Sequence, residues 1–284
     1  MGKAFKSMKR HLACITLLIL VSCSPKLKST ILNPQPALQN DELVVVLRIN
    51  DDQNIEGVLV GEVKATDGGF SSNCTYYENI INLKQLARQN GANVIKVTQH
   101  KTPDKWSSCH RLRAKIYKVD KPKTYETEIV WTADRKLTWD DFKGVPDRKA
   151  FPNTLAVTNS GFGFETGFNA FKTGNLFVQA TFNNYGSWVI PKGRTDYVLR
   201  HEQIHFDLTE IYSRKLRKAF DEAKIKPHEG ARAKKIFDSI FEELNKRQKK
   251  YDSETKYGEK NATQEYWESV VEIELIKYDL YKSN

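Results

Sequence analysis

Among the 284 residues there is no apolar run long enough to span a bilayer, only four cysteines and no internal repeat. The longest apolar stretch, Leu12 to Val21, falls well short of the roughly 20 residues a membrane-spanning helix needs, so it is not read as a transmembrane anchor. So few cysteines exclude a dense disulfide framework. Without repeats the chain is not an array of like units. What it does have is material for a core. With 39% hydrophobic residues, including 14 Phe, 12 Tyr and 5 Trp, its composition is not that of a disordered chain. Its length allows two modest domains, or one domain with an elaborated N-terminus.

Lys3, Lys6, Lys9 and Arg10 precede the Leu12–Val21 run, which is the layout of an export signal. The run ends in Leu20-Val21-Ser22-Cys23, which resembles the bacterial lipobox, where cleavage precedes a cysteine that then carries lipid. Residues 1–22 are therefore expected to be a signal peptide. Cys23 is the expected lipidation site, and acyl chains there would anchor the protein in the bacterial cell envelope, facing the periplasm or the surface. Loss of the four signal-peptide cations lowers the net charge from +10 to +6. On an exported, tethered protein a basic cluster such as Lys246-Arg247-Gln248-Lys249-Lys250 reads as a solvated helix face or an attraction to anionic lipid, and no nucleic-acid partner is expected. Cys14 leaves with the signal, so Cys74 and Cys109 remain as an even pair in an oxidising compartment. A disulfide between them would contribute roughly 3–4 kcal/mol.

Ser24 to Asn40 is polar, contains Pro25, Pro34 and Pro36, and lacks periodicity, so residues 23–41 read as a flexible tether. Beyond it, Leu43–Leu47 and Gly57–Ala65 have strand patterns, and Tyr76–Asn90 carries apolar residues at helical spacing up to a stop at Gly91. Val94–Val97 and Leu112–Val119 supply two more strands. Residues 42–119 thus predict a small β-β-α-β-β domain. Gly91-Ala92-Asn93 resembles the Gly-Ala-Asn of small α/β domains in bacterial envelope lipoproteins, which implies a binding or spacer role. No convergent acid, base or ligand set is read around His100 and His110.

After the charged joint Asp120–Thr124 come strand-like stretches, of which Asn175–Asn183 alternates most clearly, with Leu176, Val178, Ala180 and Phe182 on one face. If that strand forms the edge beside a cleft, it could hold an extended peptide. Then follows His201-Glu202-x-x-His205, in a helix capped by Thr195 or Asp196. On a helix the two histidines lie about 40° apart, one turn along the same face. That face also carries Val198, Leu208, Tyr212 and Leu216, so the imidazoles point inwards. Two neutral imidazoles so placed can grip one Zn²⁺, and Glu202 can take a proton from a zinc-bound water. Two more helices are expected, from about Glu229 to Tyr251 and from about Thr263 to Tyr281.

A hydrolytic zinc needs a third protein ligand. Leu208 and Ile211 exclude the metzincin layout, the common gluzincin spacings fall on Lys224 and Ile225, and Glu210 lies at a poor angle. The remaining source is Tyr251-Asp252-Ser-Glu254-Thr-Lys-Tyr257-Gly258, read as a polar stretch between the second and third helices. Together Leu137-Thr-Trp-Asp-Asp-Phe-Lys-Gly-Val-Pro146, His201-Glu-Gln-Ile-His-Phe-Asp207 and Tyr251-Asp-x-x-Thr-x-x-Gly258 resemble a family of predicted secreted zinc-dependent proteases, catalogued as a bacterial domain of unknown function. The likeness covers roughly residues 127–284 and implies a zincin-like metallopeptidase domain, with His201 and His205 as ligands and Glu202 as base. In that family's pattern a histidine precedes the final glycine, where this chain has Tyr257. Glu254-Thr-Lys-Tyr257-Gly258 also resembles the Asp-x-x-Tyr-Gly of aspzincins, which implies Glu254 as ligand and Tyr257 as the group stabilising the oxyanion. Asp252 is a further alternative, as ligand or as partner to a ligating histidine.

The expected fold class is α+β: the small domain, then over residues 127–284 a zincin-like domain with a mainly antiparallel sheet and three long helices. The expected function is a membrane-tethered zinc-dependent hydrolase, a peptidase acting on peptide or protein substrates. The alternatives are a non-catalytic binding lipoprotein with a degenerate metal site, and an amidase acting on wall fragments.

Overall fold

The computed structural model describes residues 24–69, 71, 73–166 and 176–283, and the fold is α+β. The expected signal peptide, Cys23 and Asn175 lie outside the described residues. Among those described, no helix is long and apolar enough to cross a membrane.

The N-terminal body contains β1 (Lys26–Ile31), β2 (Val45–Leu47), β3 (Val58–Thr66), α1 (Tyr76–Gln89), β4 (Val94–Lys101) and β5 (Arg111–Lys118). Its sheet has the order β1-β3-β5-β4-β2, antiparallel except where β2 runs parallel to β4. One face packs on α1, where Ile80, Leu83 and Ala87 meet Val63, Ala65, Ile95 and Leu112. Thr75 and Glu78 form a capping box at the start of α1. Next to it Cys74 and Cys109 are joined in a disulfide. The Gly-Ala-Asn triplet has a local cause. Gly91 takes φ +73°, and a Cβ there would stand 2.2 Å from the Pro36 carbonyl oxygen. The Asn93 side chain then pairs with both backbone groups of Val119, at 2.8 Å each way.

The expected tether is corrected here, because β1 begins at Lys26 and pairs along its length with β3. The reason it has no sequence signature is that it is an edge strand whose side chains are nearly all exposed, so no apolar alternation is imposed on it.

The C-terminal body contains β6 (Glu128–Val130), β7 (Ala156–Val157), β8 (Ser160–Glu165), β9 (Phe177–Asn183), β10 (Trp188–Val189), α2 (Asp196–Glu222), α3 (Gly230–Thr255) and α4 (Asn261–Lys277). β6, β9 and β8 form an antiparallel sheet in that order, and β7 pairs with β10. β9 is thus the central strand, paired on both sides, so it cannot take up a peptide as an edge. Its alternation shows which residues are buried but not how many neighbours it has.

Helix α2 lies between this sheet and helices α3 and α4, and most of its length is buried. Several of its buried charges are paired. Glu210 accepts from Arg214 at 2.9 Å and Arg217 at 3.1 Å, so it serves the packing of the helix. The Leu137–Pro146 motif locks onto the same helix. The Leu137 backbone N–H donates to Gln203 at 2.8 Å, Gln203 donates to Asp207 at 2.9 Å, and the Trp131 indole donates to Asp207 at 2.6 Å. Within the motif, buried Asp141 accepts from the Thr138 backbone at 2.7 Å and from Arg135 at 2.8 Å.

Burial opposes ionisation of Asp141, but hydrogen bonds from Arg135 and Thr138 and the nearby positive charge hold its carboxyl below the usual range. A depressed folded-state pKa contributes stability that is present above the unfolded value near pH 4 and lost as pH falls through the folded value. Asp141→Asn is expected to lower stability by about 2 kcal/mol at neutral pH in urea titrations. The difference from the unmodified protein should shrink as pH drops below about 4.

Candidate metal centre

The site is assembled from three helices. α2 supplies His201, Glu202 and His205. α3 supplies Gln248, Tyr251 and Asp252, and α4 supplies Gln264. The Nε2 atoms of His201 and His205 are 3.2 Å apart, and each lies close to Asp252 Oδ1, at 3.3 Å and 3.0 Å. These donors form the one group of metal-binding type found among the described residues. Ligands 2.0–2.1 Å from a tetrahedral zinc are separated by about 3.3 Å, so the three atoms have the dimensions of one face of such a tetrahedron.

The remaining nitrogens fix the tautomers. Gln264 Oε1 lies 3.3 Å from His201 Nδ1, and Gln248 Oε1 contacts His205 Nδ1. Neither amide is free to turn round. Gln248 Nε2 donates to the His205 carbonyl at 2.9 Å, and Gln264 Nε2 donates to Glu268 at 3.2 Å. The Tyr251 hydroxyl also donates to Gln264 Oε1 at 2.6 Å. Both imidazoles therefore hold a proton on Nδ1 and turn Nε2 towards Asp252 Oδ1, where a second proton makes a His–Asp ion pair and its loss leaves two lone pairs and a carboxylate oxygen facing one another. The deprotonated set repels itself unless a cation lies between its members, a place that a proton or a metal ion can take. The residues present thus fit a zinc ion.

Burial by itself would push Asp252 up, but the hydrogen bonds to His201 and His205 and their charge hold it well below the usual carboxylate range. For His205, burial acts downward and is outweighed by the Asp252 hydrogen bond and the negative charge of Glu202 and Asp252, so its pKa is raised.

The donors lie in a cleft of about 1010 Å³, walled by residues 150–158 on one side and by α3 residues such as Phe241 and Leu244 on the other. Glu202 lines the same cleft, and its carbonyl accepts from the Thr158 hydroxyl at 3.2 Å.

The structure brings together His201, Glu202 and His205 but does not bring Glu254 to them. The helix α3 continues to Thr255, and Glu254 lies on its other side, accepting from the Trp267 indole at 3.0 Å. Tyr257 lines the cleft mouth with its side chain 79% exposed, outside the donor cluster. The third motif gains a residue-by-residue account. The Tyr251 ring stacks on His201 at 4.6 Å, Asp252 supplies the third donor, and the Thr255 hydroxyl binds the Tyr251 carbonyl at 2.7 Å. Gly258, at φ +87°, passes so near His201 that a Cβ would stand 3.3 Å from the ring. Gln248 and Gln264 were not found from the sequence. Gln248 had a signal, because with Tyr251, Asp252 and Thr255 it follows the i, i+3, i+4, i+7 pattern of one helix face.

Asp252→Ala is expected to abolish stoichiometric zinc binding measured by mass spectrometry of the purified protein, whereas Glu254→Ala retains it. Gly258→Ala should weaken zinc binding, because the added methyl must displace the His201 ring or the strained turn beside it. Retention of zinc by Asp252→Ala would contradict this ligand set.

Residues 186–258 match a family model described as Bacterial protein of unknown function (DUF922). No curated protein and no solved structure matches the chain. The matched span is therefore similar to a bacterial family of unknown function, and it contains His201, Glu202, His205 and Asp252 together.

Proposed function

We propose that this chain is a zinc-dependent hydrolase of the bacterial cell envelope, tethered by lipid on Cys23 and acting as a peptidase. The observation that carries the reading is the triangle of His201 Nε2, His205 Nε2 and Asp252 Oδ1, with edges of 3.0–3.3 Å and open to a cleft that Glu202 also lines. His201, His205 and Asp252 would hold the zinc. A bound zinc supplies a water of lowered pKa and a Lewis acid for a carbonyl oxygen.

The chain's own groups perform the remaining tasks. Glu202, next to the first ligand and facing the cleft, accepts the proton of the attacking water and delivers it to the leaving amine. Gln248 and Gln264 keep both imidazoles in the tautomer that presents Nε2. Residues 154–158 run along the cleft wall and include β7, which is paired with β10 on one side. They offer backbone to an extended substrate, a role expected earlier of the strand that is now β9. Tyr257 stands at the mouth, where its hydroxyl can reach a substrate oxygen only if the side chain turns inwards.

A binding lipoprotein without catalysis is the second reading, and it draws on Tyr257 standing outside the donor set. The two readings differ in what Glu202 does. With a substrate such as unfolded casein, Glu202→Gln is expected to keep its zinc while cleavage falls by roughly 10²–10⁴-fold. Cleavage by Glu202→Gln at the unaltered rate, or a zinc-loaded protein that cleaves neither peptides nor small amides, would overturn the enzyme reading.

A further inference from the structure

The sheet of the N-terminal body has a second face, opposite α1, and its charges are arranged against elementary cross-strand pairing rules. Lys28 stands directly across from Lys64, and Lys64 directly across from Arg113, so three cations form a row over β1, β3 and β5. Lys96 is opposite Lys115, and Lys101 is opposite Arg111. Neighbouring strands lie about 4.8 Å apart, and like charges directly opposed at that distance destabilise a sheet. Internal compensation is small. Glu62, the acidic side chain among these strand positions, stands directly across from Lys115 and also contacts Lys64 at 2.9 Å and Arg113 at 3.7 Å, so one carboxylate serves three cations. Arg111 pairs with Asp104 at 2.7 Å, and Lys96 bonds the backbone carbonyls of Arg48 and Asp51.

One end of this face carries further features. The β4–β5 connection presents Trp106, 82% exposed, with Lys105 Nζ 5.2 Å from its ring centroid. The same connection is tied through Ser107 to Asp67 at 2.6 Å, and the Asp67 turn is tied through Ser71 to the carbonyl of Ser24 at 3.0 Å. The chain thus enters the body beside the Trp106 connection, and only Ser24 and Pro25 separate Cys23 from β1.

We infer that this face and the Trp106 connection form a docking surface for an anionic phospholipid bilayer. Basic side chains near such a surface are attracted to its negative potential, and tryptophan favours the level of the headgroups. The opposed cations that cost the isolated sheet stability would then lie against lipid phosphates. A lipid on Cys23 and this surface would act as the two signals that stable anchoring requires. The body would rest against the bilayer rather than swing on a tether.

The test uses residues 24–284, which contain both hydrophobic cores and lack the lipidation site, so that any binding comes from the surface itself. Co-sedimentation would be measured with vesicles of phosphatidylcholine alone or with about 30% phosphatidylglycerol. The protein is expected to bind the anionic vesicles in a salt-sensitive way and to leave the neutral ones in solution. The triple variant Lys28→Gln/Lys64→Gln/Arg113→Gln should bind about a hundred-fold more weakly. Its urea midpoint should be unchanged or higher, because like-charge contacts are relieved. Trp106→Ala should weaken binding several-fold. Equal binding to both vesicle types, undiminished binding by the triple variant, or tight binding to an RNA homopolymer without vesicle binding would overturn the inference.

Discussion

The constraint on which the C-terminal body depends is the forced meeting of three electron-pair donors. His201 and His205 cannot turn their Nε2 atoms away, because Nδ1 of each is committed to a glutamine oxygen whose own amide is pinned elsewhere. Asp252 completes the set from a different helix. Once Nε2 is deprotonated these acceptors need a compensating charge, so the proposed metal reading draws on the hydrogen-bond arrangement around the imidazoles as well as on the motif.

Everything around the site serves to keep α2 in place. Its sides are gripped by Gln203 at the Leu137 motif and Asp207 at Trp131, and by Glu210 with Arg214 and Arg217 reaching to the chain's last turns. The three separated motifs therefore form one physical unit. The first holds α2 from one flank, the second carries two candidate ligands and the candidate base, and the third supplies a stacking ring, a candidate ligand and the glycine that lets the turn pass His201.

The sequence was informative where a local period reports burial. The inward face of α2 could be read, because every apolar residue at helical spacing is there to be packed, and of the two candidate caps Thr195 and Asp196 the structure uses Thr195. The sequence leaves the third donor open among Glu254, Tyr257 and Asp252, because α3, read as ending at Tyr251, assigns no face to the residues after it. Its last turn is polar and its true stop is a left-handed pair before Gly258, so no apolar pattern marked the end. Had the helix been continued, the face holding Gln248, Tyr251 and Thr255 would have included Asp252 and left out Glu254. Strand order was invisible for a different reason. Alternation in β9 reports its inward side chains, whereas its central place depends on which strands approach it from afar. The edge strand β1 was lost because exposure removes the pattern.

The two bodies divide the work in this account. One presents basic side chains and an exposed tryptophan near the point where the chain enters, and the other holds a cleft with the candidate ligands, the candidate base and backbone along one wall. The measurement that bears most directly on the central claim is zinc-edge X-ray absorption on the purified protein. The account predicts a mononuclear site with two imidazole nitrogens and oxygen donors at about 2.0 Å and no sulfur. Absence of stoichiometric zinc, or a zinc shell without two imidazoles, would contradict it.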